Sequence, residues 1–409
     1  MPLAQRERPV RPRLGHRRAL DGIRGIAVLM VLLGHLGIQR VAPAGTVGVS
    51  LFFVLSGFLI TMLLLEEHEQ RGSVRLGRFY ARRALRLFPA LVVLLVVVGA
   101  YAAATGDIDA PIGYTALYAA NLAAMRGVDL GVLGHTWSLA LEEQFYLVWP
   151  AVLVLLWRRP RWAPVVVVAG IVASLAANVV VLRSHGEAGT WERVTFGPDT
   201  RSYALFVGCL VAILLPTLLR SRVLARAVLP AAAVVVVASA IGDRSPAYTL
   251  VALPLVAIAG AVLIVSGFKG SNALLRHIGG SRLLTGIGRI SYGLYLWHIP
   301  VFVVLGPPLQ GAPFVVRAAL RVVVSLAVAA ASYHLVERPF LDLKDRRTGG
   351  GAALARWEWP GSLRLLAAAV VVVLGAGIGA AVVRSDALPM TPSQAVADGS
   401  AADSGRGAG

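Results

Sequence analysis

Apolar runs about as long as a membrane is thick recur along this chain, and nothing else in it constrains the fold as strongly. Each approaches the ~20 residues a helix needs to cross a bilayer, whose interior tolerates only helices and closed barrels. Breakers between the runs place eleven spans near 23–39, 47–65, 88–104, 139–157, 164–182, 202–219, 228–241, 247–266, 286–305, 314–335 and 363–383. The fourth opens on a polar turn and the seventh is short. The expected fold class is all-α, a polytopic membrane helical bundle. Composition agrees: 57% of the residues are hydrophobic and 15% charged, with a mean hydropathy of +0.73.

The formal net charge of +18 suggests nucleic acid until the basic residues are placed. Alternate loops (1–22, 66–87, 158–163, 219–227, 267–285 and 336–362) hold 26 of the 39 Lys and Arg residues. Such alternation is the signature of membrane topology, with the amino terminus cytoplasmic and the carboxyl terminus extracytoplasmic. The expected partner is thus the lipid bilayer and not nucleic acid, in a multi-pass protein of the cell membrane. A cleaved secretory signal ending near Ala42–Ala44 is the rival reading of the first span; Arg24 in its core and Pro43 in the cleavage site oppose it. The single cysteine, Cys209, excludes an intramolecular disulfide and a Cys-based zinc site.

Ionisable residues inside the spans carry the functional information, because each costs about 2.5 kcal/mol or more in a bilayer. In "LDGIRGIAVLMVLLGHL" (20–36), Arg24 and His35 are eleven residues apart. Eleven residues make about three full turns, so the two share a helix face, about 16 Å apart along the axis. In "HTWSLALEEQFYLVWP" (135–150), Glu142 shares a face with Ser138, Tyr146 and His135, while the adjacent Glu143 points elsewhere. A histidine with a carboxylate nearby is the usual apparatus for taking a hydroxyl proton. "RISYGLYLWHIP" (289–300) puts Ser291, Tyr295 and His298 on one helix face. "GRFYARRALRLFP" (77–89) carries an arginine stripe suited to phosphate, or simply to anionic lipid. His298 could equally be a core histidine bonded to a backbone carbonyl.

Together with "GVSLFFVLSGFLIT" and the closing "VERPF", these segments resemble the acyltransferase-3 family of bacterial membrane O-acyltransferases, in its order and spacing from residue 20 to about 340. The resemblance implies a ten-helix membrane domain (20–340) that takes an acyl group from cytoplasmic acyl-CoA, usually acetyl-CoA, to a carbohydrate hydroxyl. Around it lie a basic cytoplasmic segment (1–19), a linker (341–362), the eleventh helix (363–383) and a tail (384–409). The family's Arg-x10-His motif falls on Arg24 and His35, and its acidic position on Glu142, with Glu143 the variable neighbour. Its basic segment falls on Arg82, Arg83 and Arg86, and "DTRSYALFVG" adds Arg201.

The expected catalytic residues are thus His35 as general base, Glu142 and Arg24. Arg82, Arg83 and Arg86 would bind the donor's phosphates. His298, Tyr295, Arg201, Ser291 and Glu143 would line the acceptor or oxyanion side. No metal is implied. In some relatives an extra span leads to an external hydrolase-like domain; here 26 residues follow it, so that step either falls to a separate extracytoplasmic transfer protein or is not needed. A transporter, with the same polar groups forming a path, is the alternative, but it would favour inverted repeats that this chain lacks. A scaffold for envelope-glycan assembly would not need His35.

Overall fold

The computed structural model describes residues 12–105, 111–184, 187–242, 245–270 and 272–342. The described chain is helical, without strands. The principal helices are α1 (Arg18–Gly34), α2 (Pro43–Arg71), α3 (Leu76–Thr105), α4 (Trp137–Leu156), α5 (Ala163–Ser184), α6 (Pro198–Leu218), α7 (Val228–Ile241), α8 (Leu253–Lys269), α9 (Arg282–Arg289), α10 (Ser291–Val304) and α11 (Phe314–Ser332). Among the described residues seven helices are long and apolar enough to cross a membrane, or eight if α9 and α10, bent by 73° between them, form one span. With the shorter α1 and α7, they correspond in order to the first ten expected spans. The eleventh span, the tail and all but the first two residues of the linker lie outside the described residues, as do residues 1–11.

The first span departs from expectation. It runs from Arg18 to Gly34, not from 23 to 39, and His35 falls in the turn just beyond it. The reason is local. Gly34 lies so close to the start of α2 that an added Cβ would stand 2.5 Å from the Gly45 nitrogen. Gly37 takes a φ of +84°, which ends helical continuation, and Pro43 opens α2. Arg24 and His35 therefore do not share a helix face.

The chain divides into two compact units. One comprises 1–34, 40–79 and 141–291; the other 35–39, 80–140 and 292–409. The first is built on backbone-to-backbone helix packing. A Cβ on Gly208 of α6 would stand 2.0 Å from the Val54 carbonyl oxygen of α2, and one on Gly57 of α2 would stand 1.9 Å from that of Leu205. Glycine is required there because van der Waals packing, not a hydrophobic drive, holds helices together in lipid, and only the smallest residue lets two backbones approach this closely. Cys209 packs in the same seam, fully buried, its thiol toward the Gly57 carbonyl. Trp149 donates its indole N–H to Thr61 Oγ1 at 2.8 Å, which ties α4 to α2.

The second unit brings α10 against α3 and α11. Tyr292 donates its hydroxyl hydrogen to the Leu87 carbonyl of α3 at 2.9 Å. Gly293 passes near Ala329 of α11, whose carbonyl oxygen a Cβ would meet at 3.3 Å. A 3-10 turn at Gly131–Thr136 precedes α4 and is closed by Thr136 Oγ1 donating to the Leu133 carbonyl at 2.7 Å.

Candidate functional site

Three histidines gather in the second unit. The imidazole of His298 lies with its centroid 5.1 Å from that of His35 and 5.1 Å from that of His135. Tyr295 stands 5.6 Å from both His298 and His135. His35 is exposed in its turn, whereas His298 and His135 are buried. One edge of the group thus remains open while the rest is enclosed.

Backbone chemistry explains why His135 is held there. Pro300 lies inside α10 and has no N–H to give the carbonyl four residues earlier, that of Leu296. His135 Nε2 contacts that carbonyl oxygen at 3.0 Å. A carbonyl only accepts, so the proton is on Nε2, and the neutral ring's other nitrogen is an acceptor. His298 is fixed in the opposite tautomer: its Nδ1 donates to the Tyr295 carbonyl at 2.7 Å. Among the described residues its Nε2 has no hydrogen-bond partner, which leaves a buried acceptor nitrogen in the group that contains His35. Tyr295 donates its hydroxyl hydrogen to the His135 carbonyl at 2.8 Å, and Ser138 hydrogen-bonds the same phenol.

The remaining expected residues are placed as follows. In the first unit Arg24, half-buried on α1, donates from Nε at 3.2 Å and Nη2 at 3.0 Å to the hydroxyl of the buried Ser291. Arg201 on α6 is 4% exposed and donates from Nη2 to Ser50 Oγ at 3.2 Å. Glu142 accepts from Tyr146, one helical turn on, at 3.1 Å, while Glu143 beside it is half-buried. In the second unit Arg82 and Arg83 are half-buried and Arg86 is exposed in the opening turns of α3. The structure thus joins Arg24 to Ser291, and His35 to His298, which Tyr295 also meets. Ser291 and His298, expected on one face of α10, serve different units.

Sequence reasoning placed His135 on the face of Glu142 but left it, and Ser138, off the site. The usable signal was Pro300, which announces an unpaired carbonyl at Leu296 in need of a donor.

A family model described as an acyltransferase domain matches residues 17–334. The peptidoglycan O-acetyltransferase OatA of Listeria monocytogenes is 33% identical over 346 residues, 78% of this chain and 55% of that protein. The putative peptidoglycan O-acetyltransferase YrhL of Bacillus subtilis is 30% identical over 349 residues, 78% of this chain and 54% of its own length. The O-acetyltransferase OatA of Staphylococcus aureus is 28% identical over 342 residues, with 78% and 56% covered. The chain spans about half the length of these relatives. No solved structure matches it at a significant level.

Proposed function

The chain belongs to the acyltransferase-domain family, and from that premise we propose that it is a membrane O-acyltransferase moving an acetyl group from cytoplasmic acetyl-CoA to a hydroxyl of a cell-wall carbohydrate. The peptidoglycan O-acetyltransferases among its relatives support the acceptor class. The observation that carries the chemistry is the exposed His35 ring set 5.1 Å from the buried, tautomer-fixed His298.

His35 takes the proton of the acceptor hydroxyl as that oxygen attacks the thioester carbonyl. The carbon–sulfur bond then breaks, and His35 returns the proton to the departing thiolate. The products are an O-acetyl ester and free CoA. His298 orients His35, because its Nδ1 proton is committed to a backbone carbonyl and its Nε2 can accept. Glu142, at the family's acidic position, is the further residue assigned to catalysis. Arg24 steadies the donor's acyl end, and Arg82, Arg83 and Arg86 bind its phosphates, for which guanidinium forks are suited. Ser291 holds the Arg24 guanidinium in place, while Tyr295, Arg201 and Glu143 serve the acceptor side. The arginine-rich loops support a cytoplasmic amino terminus.

The test uses the purified chain in liposomes with radiolabelled acetyl-CoA, following transfer to a soluble glycan. Turnover by the wild type, lost in His35→Ala while CoA still binds, is the expected result. Full turnover in His35→Ala would remove His35 from the chemistry, and no CoA binding by either protein would overturn the donor assignment.

A further inference from the structure

Two arginines on α11 have no place in the scheme above. Arg317 and Arg321 are four residues apart, hence neighbours on one face. The helix around them is otherwise Phe, Val, Ala, Leu and Ser. Among the described residues neither forms an ion pair or a side-chain hydrogen bond, and Arg321 Nε is a buried donor without a partner. Two like charges at this spacing repel each other, and each is costly in a spanning helix. An anion supplied from outside the chain would remove both costs.

Their position says which part of the reaction that anion belongs to. The Arg321 guanidinium carbon lies 5.4 Å from the Phe302 ring centroid. Phe302 in turn meets His298 edge-on at 5.9 Å. Arg321 is therefore one aromatic ring away from the histidine group. Phe302 is near the end of α10, whereas Tyr292 in its first turn bonds Leu87, next to Arg86. Ten residues of helix, about 15 Å, separate the two points. The second unit thus has arginines toward both ends of α10, with His298 between them.

Resting on the reading that the chain is an O-acyltransferase whose donor phosphates meet Arg82, Arg83 and Arg86, we propose that Arg317 and Arg321 form a second anion subsite that takes a carboxylate or phosphate of the acceptor. The acceptor is accordingly an anionic glycan, held by a charged substituent while its hydroxyl reaches His35. Phe302 holds the Arg321 guanidinium by a cation–π contact and so sets its fork beside the reacting groups.

The experiment compares acetyl transfer from acetyl-CoA to two tetrasaccharides of equal length. One is built of N-acetylglucosamine alone; in the other, alternate sugars carry a lactyl carboxylate. Full-length protein is used in nanodiscs, and kcat/KM is measured for each acceptor. The wild type should prefer the carboxylate-bearing acceptor by about tenfold or more, the scale of one charge-assisted hydrogen bond. In R317Q/R321Q the preference should fall to about one, and in R321K, which keeps charge but loses the fork, to an intermediate ratio.

An unchanged ratio in R317Q or R317Q/R321Q, in protein that elutes as a single species, overturns the subsite while leaving the acyltransferase reading intact. Equal use of the two acceptors by the wild type does the same. An inert wild type with no consumption of acetyl-CoA overturns both. Nanodiscs of phosphatidylcholine, with and without phosphatidylglycerol, separate the sources of anion. If phosphatidylglycerol raises the wild-type Tm but not that of R317Q/R321Q, and the acceptor ratio does not move, the pair serves lipid headgroups and the proposal fails.

Discussion

His135 supplies, from a 3-10 turn 161 residues away in sequence, the hydrogen that the Leu296 carbonyl lacks. Pro300 creates that need, and the histidine group exists in part because His135 meets it. Removing the donor should leave a buried carbonyl unpaired, at a cost of about 1–3 kcal/mol. We therefore expect His135→Leu to lower Tm by several degrees. The double variant His135→Leu with Pro300→Ala should recover much of that loss, since replacing the proline brings back the helical N–H. A thermal double-mutant cycle measures the coupling; strictly additive effects would show that the two residues do not act through Leu296.

This dependence explains what was legible in the sequence and what was not. Hydropathy located ten helical segments because a bilayer leaves a spanning backbone few alternatives, and α7 has the expected bounds, 228–241. The Arg24–His35 spacing was readable as a motif but misleading as geometry, since two glycines and a proline end α1 before His35. The meeting of His35, His135 and His298 joins distant segments through a turn and a freed carbonyl, which no local periodicity records. The Arg24–Ser291 contact was equally hidden, although both residues had been singled out, because it spans 267 positions.

That contact carries its own prediction. One serine hydroxyl accepts from both Nε and Nη2 of Arg24, so the guanidinium plane is held at a set angle. Lysine at position 24 keeps the charge but loses the fork. Arg24→Lys should raise the KM for acetyl-CoA by about tenfold and change kcat less, as loss of a donor-positioning interaction does. Ser291→Ala should act in the same direction and more weakly. A fall in kcat alone for both variants would place Arg24 in the chemical step.

The seam between α2 and α6 should tolerate little substitution. A methyl group at position 208 would stand 2.0 Å from the Val54 carbonyl oxygen, which is backbone and cannot rotate away. Gly208→Ala is expected to lower Tm by an amount matching about 1–3 kcal/mol of overpacking, and Gly208→Leu to abolish recovery of monodisperse protein. Gly286, where an added Cβ meets nothing within 4 Å, is the control: Gly286→Ala should leave Tm within about a degree, as a substitution clear of any packed feature does. Comparable losses at both positions would mean that close helix approach is not what the α2–α6 glycine provides.

The arginines at the start of α3 can be tested by trimming the donor instead of the protein alone. If Arg82, Arg83 and Arg86 bind the phosphates of CoA, their contribution vanishes with a donor that has none. Replacing all three with Gln should raise the KM for acetyl-CoA by about a hundredfold, one charge-assisted contact being worth roughly 1.5–3 kcal/mol and the three not being additive. S-acetylpantetheine has the same thioester and no phosphate. Its KM should already be high in the wild type and should be nearly the same in the triple variant. The difference should also shrink as salt is raised, because the exposed Arg86 is screened over a Debye length of about 10 Å at 0.1 M. Equal weakening of both donors would instead mean that these arginines shape the second unit, since Leu87 immediately after them accepts the Tyr292 hydroxyl that ties α3 to α10.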